Sequence, residues 1–233
     1  MATNTTTTSA VLYQATQKFN GANCASPLSL ISYQFSTTCT QSAVPSAVPT
    51  GTNSTSAPIA TVQPCLATAP FASQGICTSD YHANGVATFG TAAYAELVIH
   101  SSGDCNSKTN IVGVRQYSLN SLFEWGVDAA NKVYSGVNIY DATNRKLLVG
   151  KCQDTGCTTV YSDVSDNFPT DGSCFKPVDL FNANSYVTVT VYNAAAAKPA
   201  AIPSPKFVRT SSAQQKSSLV AAAAAIAFGF LFF

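Results

Sequence analysis

Two histidines, eleven carboxylate side chains and eight cysteines carry most of the reactive chemistry of this 233-residue chain. None stands in a spacing that defines a reaction. There is no GxSxG elbow, HExxH pair, P-loop or GxGxxG turn. His82, in Ser79-Asp80-Tyr81-His82, reads as a loop residue within reach of Asp80, and His100 falls on the polar face of its strand as a surface residue. Copper on a β-sandwich would suit two histidines only if a third ligand joined them. Glycosidase chemistry needs two carboxylates about 5–10 Å apart; Glu96, Glu124 and nine aspartates could supply them, but Asp104, Asp141 and Asp171 sit in turn contexts that already explain them. The expectation is therefore no catalytic residue, no metal and no cofactor. A non-enzymatic alternative is sugar binding by exposed rings of Trp125, Tyr134, Tyr140 and Tyr161; core or cross-strand packing of the same rings is the competing reading.

The cysteines have a different use. Cys24, Cys39, Cys65, Cys77, Cys105, Cys152, Cys157 and Cys174 form an even set without the two close pairs that zinc requires. Four disulfides in an oxidising compartment is the reading. Pairing of sequence neighbours (24–39, 65–77, 152–157) is the default, and a loop the size of Cys24–Cys39 would contribute about 3 kcal/mol on the chain-entropy model. Asn4-Thr5-Thr6 and Asn53-Ser54-Thr55 are N-glycosylation sequons at Asn4 and Asn53. Net charge is +1, only 10% of residues are charged, and none lies between Phe19 and Ser79. Without a basic cluster, nucleic acid is not an expected partner.

The elements that would position these groups are mostly strands. Val11–Phe19 and Leu28–Phe35 flank Asn20-Gly21-Ala22-Asn23 as a hairpin, with Cys24 at its loop. Ala92–His100 alternates, Ala93, Ala95, Leu97 and Ile99 one way and Tyr94, Glu96, Val98 and His100 the other, and Ile111–Leu119 follows. Tyr13-x10-Cys24 and Tyr94-x10-Cys105 share this layout, so a duplicated strand–turn–Cys–strand unit competes with chance. Leu119–Ala130 reads as the one short helix, with Ser121 and Glu124 as a capping box. Asp141–Arg145 turns a hairpin between Val137–Tyr140 and Lys146–Val149; Thr158–Tyr161 is a short strand, and Tyr186–Tyr192 points Val187, Val189 and Val191 inward. The sum is an all-β antiparallel sandwich stapled by disulfides, with a Ser/Thr/Pro-rich segment and a C-terminal hydrophobic tail. Residues 1–10 form a Thr-rich extension and 11–193 the β domain, with 80–193 a candidate sub-domain. Thr40–Pro64, with nine Ser/Thr and four Pro, is a linker or a long loop. The Ala/Pro run 194–210 reads as a stalk.

The tail Leu219–Phe233 holds fifteen residues without a charged or polar side chain. As a helix it would reach about 22 Å, short of a hydrocarbon core of roughly 30 Å. Ser211-Ser212-Ala213, then Gln214-Gln215-Lys216-Ser217-Ser218, then this tail form the small-triplet, spacer and apolar pattern of a glycosylphosphatidylinositol (GPI) signal over 211–233, with Ser211 as the residue that takes the lipid. The spacer is shorter than the usual ~8–12 residues. The alternatives are a single-pass span, a buried core helix and the tail anchor of a cytosol-facing protein. The opening MATNTTTTSAVLYQATQ has no basic and apolar regions of a secretory signal, so the GPI reading expects a leader lost from a truncated start.

These features together resemble the GPI-anchored cell-surface glycoproteins of fungi and other eukaryotic microbes. The resemblance rests on Ser211-Ser212-Ala213 with the tail, on Thr40–Pro64 and on the eight cysteines; the missing leader departs from it. It implies a place on the extracellular face of the plasma membrane or in the cell wall. Its expected partners are the membrane, through the lipid, and wall polysaccharide, in a structural, adhesion or recognition role. A carbohydrate-binding or carbohydrate-active protein and a tail-anchored protein are the alternatives.

Overall fold

The computed structural model describes residues 12–36, 63–68, 70–127, 132–154, 156–178, 180–181, 184–197 and 205–209. Asn4, Cys39, Asn53, Ser211, most of the Ser/Thr/Pro segment and the tail 219–233 lie outside them.

Among the described residues, the chain forms twelve strands and one α-helix. In order these are β1 (Tyr13–Asn20), β2 (Leu28–Phe35), β3 (Leu66–Thr68), β4 (Phe71–Thr78), α1 (Tyr81–Phe89), β5 (Tyr94–His100), β6 (Ile111–Ser118), β7 (Leu122–Val127), β8 (Val133–Asp141), β9 (Lys146–Cys152), β10 (Thr159–Pro169), β11 (Tyr186–Tyr192) and β12 (Lys206–Val208). They form a seven-stranded sheet, β11-β5-β6-β2-β1-β4-β3, and a five-stranded sheet, β12-β10-β9-β8-β7. Pairing is antiparallel except between β12 and β10. The fold is thus an all-β sandwich.

The larger sheet repeats one arrangement. In its first half, β4 pairs along β1 from Tyr13↔Thr78 to Asn20↔Phe71, and β3 adds outside β4 with Cys65 just before it. In its second half, β11 pairs along β5 from Tyr94↔Tyr192 to His100↔Tyr186. Asp171 and Phe175 then bridge to Thr190 and Val187 outside β11, with Cys174 between them. Each outer cysteine reaches the connection of its own hairpin: Cys24 bonds Cys65, and Cys105 bonds Cys174. The Tyr-x10-Cys echo therefore extends to a similar layout of three strands plus an outer strand or bridging segment, with β7–β10 falling between β6 and that segment. Because β5, β6 and β11 share one sheet with β1–β4, residues 80–193 are not a separate sub-domain.

Three expectations need correction. Sequential pairing fails for 24–39 and 65–77, because strand pairing carries Cys65 across to the β1–β2 turn; Cys152–Cys157 is formed, and Cys77 is bonded to a partner outside the described residues. The expected helix at Leu119–Ala130 is strand β7. Phe123 and Trp125 follow a period of two and both pack against Gly136, while Ser121 Oγ donates to Ser118 O at 2.6 Å instead of capping. The helix lies at Tyr81–Phe89 instead. The stalk reading also fails where the chain is described. Asn193 Nδ2 ties the turn Ala194–Ala196 to Gly90 O and Ala92 O, and Lys206–Val208 rejoins the domain as β12.

Between the sheets, Ala95, Leu97, Val187 and Val189 meet Phe123, Leu147, Val149 and Phe168 in the main core. Lys18 on β1 and Glu124 on β7 form a bidentate ion pair at 3.1 Å across the same gap. The opposite face of the larger sheet buries Tyr13, Ala15, Ile31, Tyr33, Tyr94, Ile111 and Val114. β5 is therefore buried on both sides, and α1 covers part of its second face.

The 69-residue separation of Cys105 and Cys174 closes the inserted sheet at its base. Cys105→Ala with Cys174→Ala is expected to lower unfolding free energy by about 4 kcal/mol on the chain-entropy model, measured by urea denaturation.

Candidate functional site

The face under α1 is where ionisable groups converge. Local sequence builds the helix there. Asp80 caps it by accepting from Ala83 N at 2.9 Å, and Gly90 ends it at φ 57° with its N–H on Val86 O. Gly85 lets the helix lie close on the sheet: a β-carbon there would collide with the Gln116 amide, which is fully buried and held by three hydrogen bonds.

A chain of contacts runs through that amide. Asn84 Nδ2 donates to the Tyr33 hydroxyl at 2.7 Å, and Tyr33 donates to Gln116 Oε1 at 2.7 Å. Gln116 Nε2 donates to Glu96 Oε2 at 2.8 Å and to Tyr81 O at 3.1 Å. His82 Nδ1 lies 3.3 Å from the same Glu96 oxygen, and the Tyr192 hydroxyl lies 3.5 Å from Glu96 Oε1. Rings stack beside it: Phe89 on Tyr94 at 4.5 Å and Tyr94 on Tyr192 at 4.8 Å, with His82 5.2 Å from Tyr192. The Tyr94 hydroxyl is buried and without a partner.

Glu96 is 6% exposed, whereas the His82 side chain is 46% exposed. The carboxylate can thus orient the imidazole through Nδ1 while the ring edge meets solvent. Burial first, and the Glu96 charge second, push the Tyr81 and Tyr192 hydroxyls up to about 12. The Tyr94 hydroxyl goes up to about 12 for the same reasons, and Tyr33 is raised further by its burial. These phenols stay protonated donors at any physiological pH.

The residues singled out by sequence fall in different places. His82 belongs to the first turn of α1 and pairs with Glu96; Asp80 serves the cap. His100 is not a surface residue: it is 2% exposed, because the second face of β5 is covered, and its Nε2 lies 3.5 Å from Thr188 Oγ1. Glu96 lies under α1 on one side of the larger sheet and Glu124, on β7, lies between the sheets on the other, so these two do not form a glycosidase pair. Asp141, Asp154 and Asp171 each accept hydrogen bonds within their own turns. Among the described residues, no three His, Cys, Asp or Glu groups come together as metal ligands.

The four rings named for sugar stacking are each partly or fully buried or engaged. Tyr161 is 4% exposed, Trp125 and Tyr140 pack on the main core, and the Tyr134 ring carries Lys151 Nζ at 3.9 Å and Lys132 Nζ at 5.0 Å. Sequence reading missed Tyr33, Asn84, Gln116 and Tyr192. The signal that pointed to them was the Asp80–Gly90 spacing of a nine-residue helix, which would have placed a cover over the polar residues of β5 and β6. No family model, curated protein or solved structure matches the chain.

Tyr33→Phe leaves Gln116 Oε1 and Asn84 Nδ2 without their partner and is expected to cost about 1–3 kcal/mol of stability in urea denaturation. Burial lowers the His100 pKa, with Asp104 opposing the shift. The unfolded chain then binds the proton more tightly, so stability falls as pH drops through the ordinary histidine value of about 6.5 and levels off below the lowered folded value. His100→Phe is expected to flatten that slope in melting temperatures taken between about pH 5 and 7.5.

Proposed function

We propose that this protein is a GPI-anchored domain displayed on the extracellular face of the plasma membrane or linked to the cell wall, with a structural, adhesion or recognition role. The observation that carries the reading is the state of its cysteines: every described one is disulfide-bonded, and none is free. Such a framework persists in the secretory lumen and outside the cell, and is rare in the cytosol. Among the described residues no helix is long and apolar enough to cross a membrane. Ser211-Ser212-Ala213, the polar spacer and the tail Leu219–Phe233 supply a lipid-attachment signal in its place.

A non-catalytic role is favoured because the carboxylates already have structural partners. Glu124 is paired with Lys18 between the sheets, Glu96 is enclosed by Gln116, His82 and Tyr192, and Asp141, Asp154 and Asp171 order turns. Burial of Tyr161 and partial burial of Trp125 and Tyr140 disfavour a stacking platform for sugar, so attachment to wall polysaccharide would run through the anchor.

The test is expression behind a secretory leader in wall-less cultured cells, followed by phosphatidylinositol-specific phospholipase C on intact cells. Release of disulfide-bonded protein into the medium is the expected result. Retention on the cells, or recovery of protein with reduced thiols from the cytosolic face, would overturn the reading in favour of a span or a tail anchor.

A further inference from the structure

Among the described residues β12 is the outer strand of the smaller sheet, and it is close in sequence to the proposed lipid site. β12 is held to β10 by the register Thr159↔Lys206 to Tyr161↔Val208, and Lys206 N donates to Thr158 O at 2.9 Å. Ser211 is three residues beyond Val208, a stretch that spans at most about 11 Å when fully extended. No peptide stalk separates this edge from the anchor. The anchor's own glycan is flexible enough to let the edge touch the bilayer, but it does not hold the edge there. Any holding force must come from the residues on the edge.

Those residues have interfacial chemistry. Phe207 is 52% exposed and Val208 36%, large apolar side chains that stay partly open to solvent on a three-residue strand. Lys206 and Arg209 flank them and are exposed. An apolar ring with Lys and Arg beside it is the composition of segments that lie in the membrane–water interface, where the basic groups can donate to lipid phosphates. Asp154, in the turn that leads into β10, is engaged by Thr158 and Thr159.

We propose that the β12 edge docks on the outer leaflet, with Phe207 at the depth of the lipid headgroups and Lys206 and Arg209 on phosphate groups, so that the domain lies flush on the membrane. This rests on the anchor reading above. The opposite edge of the same sheet, β7, is four strands away, about 19 Å at ordinary strand spacing. It carries the chain's single tryptophan, Trp125, as a built-in reference.

The experiment places lipid-anchored wild type and F207W in phosphocholine vesicles containing a headgroup spin-labelled lipid and compares tryptophan emission. The exposed position makes F207W a mild substitution. The emission that F207W adds is expected to lose roughly half its intensity or more in the labelled vesicles, while the Trp125 emission of wild type changes little, and phospholipase C should restore it. Lys206→Glu with Arg209→Glu in the F207W background should relieve the quenching while release by phospholipase C is unaffected. Equal quenching of both emissions in a sample that phospholipase C does release overturns the docking and leaves the anchor standing. A sample that phospholipase C does not release overturns both.

Discussion

Four residue pairs between β2 and β6, from Leu30↔Tyr117 to Tyr33↔Val114, are the seam on which the molecule depends. They join two hairpins into one sheet, and that sheet buries both of its faces. On one side it meets the smaller sheet; on the other it carries α1. The seam residues serve both sides, because alternation sends Leu30 and Tyr117 into the main core and Tyr33 and Val114 under the helix. A one-residue slip would exchange these sets and put the Tyr33–Gln116 contact between the sheets. The polar network and the apolar core therefore specify the same register, and a slip would disrupt both.

Much of this architecture was legible in the sequence. Period-two alternation located β1, β2, β5, β6 and β11, and the Asp141–Arg145 turn placed the β8–β9 hairpin, where Asp141 Oδ1 accepts from Thr143 N and Asn144 N as an Asx turn should. What local pattern could not show was what lies over a strand. Tyr94, Glu96 and His100 alternate with apolar residues as a solvent face would, but α1 and neighbouring side chains bury them. α1 itself was hidden because Tyr81–Phe89 has a central glycine, a threonine, a valine and little apolar periodicity; it is a helix because its ends are capped and Phe89 is buried. The disulfides were misassigned for a related reason. Adjacency along the chain favours short loops, whereas strand pairing between distant segments decides which sulfurs meet.

The candidate site was the least legible part. Its residues come from β2, α1, β5, β6 and β11, and each looks ordinary in its own segment. Together they form a buried carboxylate enclosed by amide, imidazole and phenol donors, a combination that stiffens a core when fully satisfied. The unpartnered Tyr94 hydroxyl is the one unsatisfied group among these residues. The chemistry gathered there holds a helix to a sheet, and His82 is the member of the network that shows most of its surface to solvent.

The Cys105–Cys174 link has a mechanical meaning. Tension applied downstream of Val208 reaches first the three-residue pairing of β12 on β10, then β11 along β5, and then the covalent bond at Cys174. Load that reaches Cys174 passes through the bond to Cys105, so β6–β10, which lie between the two cysteines, stay off the loaded path. A protein tethered by its carboxyl terminus could yield some slack under load and keep most of its shape.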